Sequence, residues 1–382
     1  MYVETEEQQM LRSQVRNVAK KYGREYYLKK AARGEGLDEL WREVGSLGFL
    51  GVNTPEEYGG GGLGISELAI VCEELAACGC PLLLMLVSPA ICATVIRHFG
   101  SEEQKQEWLP ALASGEKTMV FAITEPNAGS NSHKLETNAK KDGDDWVLNG
   151  TKYYISGAGN ADAILVVART GGVEDGRGRL SLFIVDGKAK GMDVSPIPME
   201  IASADRQFTL FFDNVRLPAD RLIGAEGQGL SQVFMGLNPE RILGAALGTG
   251  TALCAIEQAA QYANERAVWG KPIGTHQGIA HPLAEVKIEV ELARLMTAKA
   301  AWMFDQGLDA GAAANMAKYA AGEAATHAVD TAIQVHGGNG MSAEYGLVSL
   351  WGSARTLRIA PVSREMILNY VGQHVLKLPK SY

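Results

Sequence analysis

The stretch "DWVLNGTKYYIS", Asp145–Ser156, breaks the rhythm of the chain around it. Upstream, apolar residues recur every three or four positions. Here they alternate with polar ones, the period of a half-buried strand. Asn149-Gly150 splits the stretch into two short alternating runs. Both central residues of a tight hairpin turn need positive φ, so this dipeptide predicts a β-hairpin turning at 149–150. The runs "ADAILVVART", "RLSLFIVD" and "RQFTLFFDNVRLP" continue as short strands, and residues 116–225 are expected to form a middle β domain.

On either side the period is helical. In the block 1–115, "EEQQMLRSQVRNVAKKYG" sets Leu11, Val15 and Val18 at helical spacing, and "LDELWREVGSLGFLG" repeats the pattern. "PEEYGGGGLG" reads as a loop, and Ser101 as the N-cap of a helix with acidic residues in its first turn. The block 226–382 is rich in Ala and Gly, which let helices approach closely. Its segment "LAEVKIEVELARLMTAKAAWMF" carries a stripe at Leu283, Val286, Val290 and Ala293. The expected class is α+β: an N-terminal helical domain, a β-barrel-like or sandwich domain, and a C-terminal four-helix bundle.

Length and composition narrow the function. A chain of 382 residues exceeds one compact core. Its net charge of -8 argues against nucleic-acid or anionic-membrane partners, whose affinity comes from basic residues. The apolar run Leu82–Val87 is far too short to cross a bilayer, and "MYVETEEQQM" lacks the features of a secretory signal. Five cysteines, at 72, 78, 80, 92 and 254, show no disulfide framework, which suggests reduced thiols and a cytoplasmic setting. Cys78 and Cys80 form a C-x-C without the further ligands of a metal site.

Four segments suggest chemistry. "FAITEPNAGSN" (Phe121–Asn131) ends a strand in a loop whose free amides can cradle a phosphate. "KYYIS" (Lys152–Ser156) puts an aromatic and a hydroxyl on one strand face. "NERAVWGKPIGTHQ" (Asn264–Gln277) leaves a helix with Arg, Trp and Gln on a polar stretch. "QVHGGNG" (Gln334–Gly340) sets two glycines just after a helix, where backbone can touch a ligand. His327 and His336 read as packing or capping residues. Singly, each segment is a turn or a cap; none has a metal-ligand spacing, a P-loop or a GxSxG elbow.

In order, these segments and "LWREVGSLGFLGVNTPEEYGG", "WVLNGTKYYIS" and "FDNVRLPADRLIGAEGQG" resemble the acyl-CoA dehydrogenase family along nearly the whole chain. The resemblance implies a flavoenzyme that oxidises the α,β bond of an acyl-CoA thioester, assembles as a homotetramer and passes electrons to electron-transferring flavoprotein. It implies FAD held by Phe121, Ile123, Thr124, Gly129, Ser130, Tyr154, Ile155 and Ser156. Tyr154 would stack on the ring and Ser156 would reach N5. Arg266, Trp269 and Gln277, with Gln334, Gly337 and Gly338, would contact the FAD of a neighbouring subunit. Ser363 and Glu365 would complete the cofactor site, and Ser130, Asn238, Arg241 and Pro361 would meet the substrate.

The family's usual catalytic Glu lies in a segment that reads here Ile359, Ala360, Pro361, Val362, Ser363. The slot is Pro361, or Ala360 after a one-residue slip, and neither takes a proton. A minority branch that includes isovaleryl-CoA dehydrogenase carries its Glu on a C-terminal helix in the pattern L-D-L-E-R. "LNPERI" (Leu237–Ile242) matches it, which implies Glu240 as the base and hints at a branched, alicyclic or bulky acyl group. By itself, Asn238-Pro239 reads as an N-cap with Pro at the first helical position, or as a kink inside a longer helix.

Proline also lacks the backbone N–H that relatives use to polarise the thioester carbonyl. Loss of one such donor commonly costs about 10²–10³ in rate. A slip to Ala360, a carbonyl held differently, or a weakly catalytic subunit of a mixed assembly would each explain it. The reverse reaction, an enoyl-CoA reductase, shares the same pattern.

Overall fold

A computed structural model describes residues 4–174 and 177–380. Helix α1 (Glu6–Arg33) begins at Thr5, whose hydroxyl accepts from the Gln8 amide while the Gln8 side chain accepts from the Thr5 amide. Gly23, at φ 68°, interrupts it. Then come α2 (Asp38–Ser46) and α3 (Ile65–Ala77), joined by the glycine loop with one short turn at Glu56–Tyr58. A wide π-type helix at Leu86–Ala93 runs directly into α4 (Thr94–Phe99). Ser101 caps α5 (Glu102–Ala113) with the reciprocal bond to Gln104, as its sequence predicts.

The strands are β1 (Met119–Ala122), β2 (Asn138–Asp142), β3 (Asp145–Ser156), β4 (Ala163–Glu174), β5 (Arg177–Asp186), β6 (Met192–Pro196), β7 (Gln207–Leu217) and β8 (Leu222–Ile223). They form one mixed sheet in the order β6-β7-β3-β2-β4-β5-β8, with β1 parallel to β4.

The expected hairpin at 149–150 is not there. Asp145–Ser156 is a single strand, and the chain reverses at Asp142–Asp145 instead, with Gly143 at φ 66°. Asn149-Gly150 sits at a bulge opposite β7, where Asn149 Oδ1 accepts from the Asn214 amide at 2.8 Å. Gly150 serves close approach: a β-carbon there would lie 2.6 Å from Thr137 Cα. The same residue type thus answers a packing demand, not a turn.

Both faces of the sheet are covered. Val120, Ile164, Val166, Phe183 and Val185 pack with Trp146, Leu148, Leu210 and Phe212 across the interior of the folded sheet. The alternate residues, among them Phe121, Leu165, Val167 and Leu182, pack on Val95, Ile96, Trp108, Leu109 and Val233.

Beyond the sheet run α6 (Gly229–Glu265), the short pair β9 (Ala267–Val268) and β10 (Lys271–Pro272), α7 (Gln277–Asp305), α8 (Gly311–His336), α9 (Leu347–Thr356) and α10 (Arg364–Tyr370). Helices α6, α7 and α8 pack on one another, and α3 and α9 close against them. The two helical blocks therefore share a core, with Val15, Leu40, Leu68 and Leu75 in the same cluster as Leu243, Val286, Val329 and Leu350. Arg24 of α1 stitches them: it donates to Gly79 O (3.3 Å), Gly346 O (3.1 Å) and the Ser349 hydroxyl. By length and composition α6 is apolar enough to span a membrane, but 78% of its most apolar window is buried inside the protein, the situation of a core helix.

Candidate active site

At the end of β1 the chain turns through Ile123, Thr124 and Glu125. A buried ion pair fixes this turn. Lys152 Nζ donates to Glu125 Oε1 at 2.8 Å and to Ile123 O at 3.0 Å, while Glu125 accepts from the Glu136 and Thr137 amides at 2.6 and 3.0 Å. Burial lowers the Lys152 ammonium to about 8. Burial alone would raise Glu125, but Lys152 and the amides hold it below the ordinary carboxylate range. Neither residue stood out in the sequence, although both lie inside quoted segments.

Beside this turn, a bulge between Lys152 and Ile155 swings Tyr154 out at φ 57° and half-exposes it. A non-glycine residue in this region is strained, and such strain gathers at ligand sites. Ser156 exchanges hydrogen bonds with the Gln207 side chain. Gly129 and Ser130 are exposed, and neither amide donates a hydrogen bond among the described residues. Phe121 and Ile155 lie beside this turn with their side chains packed into the two sheet cores.

A second group lies where α6 and α8 end. The turn between β9 and β10 has two central residues at positive φ, Trp269 (53°) and Gly270 (78°), and Trp269 is 89% exposed. Arg266, Gln277, Gln334, Gly337 and Gly338 are also exposed. His336 is a packing residue, stacked on Tyr262 at 4.2 Å and bonded to Ala332 O, and Asn339 Nδ2 donates to the Tyr262 hydroxyl. His327 instead meets Glu289 at the surface.

Glu240 lies well inside α6, so Asn238-Pro239 is a mid-helix site and not a helix start. The positive end of the helix dipole is therefore absent. Burial raises the Glu240 carboxyl to about 7, with Arg241 and Lys318 pulling it part of the way back. Arg241 Nη1 donates to Asn238 Oδ1 at 2.9 Å. Gly244, one turn on, faces the tail segment: a β-carbon there would lie 3.7 Å from Pro361 Cδ and 3.6 Å from Leu86 Cδ2. The Ala360 amide donates to Thr356 O at 2.9 Å, and Lys318 Nζ donates to Val362 O. Ser363 caps α10, its hydroxyl accepting from the Met366 amide at 3.3 Å, and Glu365 is exposed beside Arg364.

Glu240 and the group around Trp269 are far apart in one chain. From Glu240 to Arg266 is 26 residues of helix, or roughly 39 Å at the α-helical rise. The residues around Tyr154 suit the FAD that the resemblance implies: a strained, half-exposed aromatic for the ring, and exposed loop amides at Gly129 and Ser130 for the pyrophosphate.

Comparison with known proteins identifies the family. Profiles of the acyl-CoA dehydrogenase N-terminal, middle and C-terminal domains match residues 5–116, 120–215 and 227–376. The acyl-CoA dehydrogenase FadE12 of Mycobacterium tuberculosis is 56% identical over 383 aligned positions, covering 100% of this chain and 99% of the relative. The structure of butyryl-CoA dehydrogenase from Megasphaera elsdenii superposes with a TM-score of 0.93 at 30% identity, over 98% of this chain and 99% of that one. A glutaryl-CoA dehydrogenase from Mycobacterium smegmatis in complex with FADH2 matches at 0.91 and 26%, over 99% and 97%. With three consecutive domain profiles filled and a relative aligned end to end, the chain belongs to the acyl-CoA dehydrogenase family of FAD-binding oxidoreductases.

Proposed function

We propose that this enzyme dehydrogenates the α,β bond of an acyl-CoA thioester, with Glu240 removing the α-proton. The observation that carries the reading is the Glu240 carboxyl itself. It is partly buried in mid-helix, raised to about 7, and one turn from the glycine that faces Pro361. A carboxylate near neutrality is a stronger base than one in water and is still half ionised at working pH. Bound flavin supplies the acceptor for the β-hydride.

Asn238, Arg241 and Ser130 line the substrate side in this reading, and Tyr154 backs the flavin ring. The commitment of the Ala360 amide to Thr356 O argues against a slipped register. It favours a thioester carbonyl held by donors other than the slot residue. Gly244 leaves room for about one methyl group between Leu86 and Pro361, which favours a branched acyl chain. The distance along α6 supports the assignment of Arg266, Trp269, Gln277, Gln334, Gly337 and Gly338 to a neighbouring subunit's cofactor, hence a homotetramer. Electrons leave to electron-transferring flavoprotein, in the cytoplasm.

Anaerobic bleaching of the flavin by a panel of straight and branched acyl-CoAs tests the reading. The wild type is expected to bleach fastest with a branched saturated thioester. Glu240→Gln is expected to keep FAD and lose bleaching; a fully active Glu240→Gln enzyme would reject the assignment. Bleaching that requires a second, different chain would favour the mixed assembly instead.

A further inference from the structure

Lys318 is 1% exposed on the alanine-rich helix α8. No carboxylate lies within ion-pair distance of its ammonium among the described residues, and its hydrogen-bond acceptor is the backbone carbonyl of Val362. An ammonium has three donors and is costly to bury, so its retention needs a reason.

The surroundings supply one. Helix α8 packs along α6, and the carbonyl that Lys318 holds follows Pro361, which faces Gly244 one turn after Glu240. We propose that Lys318 is a positioning residue for Glu240, its ammonium favouring the ionised carboxylate while its bond to Val362 O holds the Pro361 segment against α6. The proposal rests on Glu240 being the base.

The charges around the pair come from several elements. Arg241 on α6 adds a second cation beside Glu240, and Cys92 of the π-type helix sits near it as a buried neutral thiol. Glu323 on α8 and Glu365 on α10 favour the charged form of Lys318 through space, as Tyr370 does for Arg241. Burial lowers Lys318 to about 8, so it is still mainly protonated at neutral pH. Removing its charge removes one of the two attractions that hold Glu240 down. The carboxyl must then titrate at higher pH.

Infrared pH titration of the FAD-loaded enzyme reads this without any substrate. The Glu240 signal is the protonated-carboxyl band that disappears in Glu240→Gln. In Lys318→Met its midpoint is expected to rise by about one pH unit, a tenfold change in the ionisation equilibrium. Lys318→Gln, which can still donate to Val362 O, should shift equally, and Lys318→Arg should restore the wild-type midpoint. If Lys318→Met does not fold, Lys318→Gln decides. A wild-type midpoint in either neutral variant, or an Arg variant displaced as far as the neutral ones, overturns the proposal. An active Glu240→Gln enzyme would instead bring down the base assignment, whatever the Lys318 variants do.

Discussion

Two ionisable side chains make opposite demands on stability. Glu240 titrates near 7 in the fold against an ordinary value of 4.5. The fold therefore prefers its neutral form. The cost is absent at low pH, grows as pH rises past the unfolded value, and is complete above about 7. Glu240→Gln should therefore raise the unfolding free energy by roughly 3 kcal/mol at about pH 8 and by almost nothing at about pH 4.5; urea melts at the two pH values check this. Glu125, which the fold holds ionised beside Lys152, is the reverse case. In Lys152→Met the buried Glu125 loses its cation, and removing one partner of such a pair costs about 3–5 kcal/mol. The deficit against wild type should shrink as pH falls and Glu125 protonates, and flavin retention should weaken as the Ile123 carbonyl loses its donor. The proposed site is legible only in part at this scale. Glu240 is a candidate by its motif, but Lys152, Glu125 and Lys318 are not, because a charged residue in an apolar stretch does not announce whether it turns inward.

Helix α6 shows how glycines in one element can have opposite meanings. At Gly244 a β-carbon would meet only ordinary contacts, at 3.6 and 3.7 Å; at Gly250 it would lie 2.3 Å from Glu73 O on α3. Alanine gains about 1 kcal/mol of helix propensity at either place. Gly244→Ala is accordingly expected to match or exceed the wild-type melting temperature while lowering kcat/KM for branched thioesters more than for straight ones. At Gly250 a backbone clash of this kind typically costs about 1–3 kcal/mol, so Gly250→Ala should melt lower. Spacing alone could not separate them, since the clash depends on where α3 crosses. Strand prediction failed for a related reason. Alternation located the strand correctly, yet Asn149-Gly150 and Asp142-Gly143 both carry turn chemistry, and only the register with Thr137 decides between them.

Taken whole, the molecule leaves a stripe uncovered. Ile288, Leu292 and Leu295 on α7 are 62%, 62% and 52% exposed, opposite the buried Val286, Val290 and Ala293. A helix apolar on both sides offers a second packing face. If the proposed homotetramer forms through this face, the double change Leu292→Glu, Leu295→Glu is expected to reduce the assembled mass in light scattering and to release FAD. The sequence disclosed the inner stripe because its spacing is helical; the outer one is interleaved with it and has no separate period of its own. The shared helical core was equally hidden, because periodicity reports an amphipathic face but not its mate. That sharing has a consequence for biogenesis. Arg24 leaves the ribosome more than three hundred residues before Gly346 and Ser349, the groups that satisfy it. A nascent N-terminal block thus emerges with its docking face open and keeps it open until the segment around Gly346 and Ser349 has been synthesised.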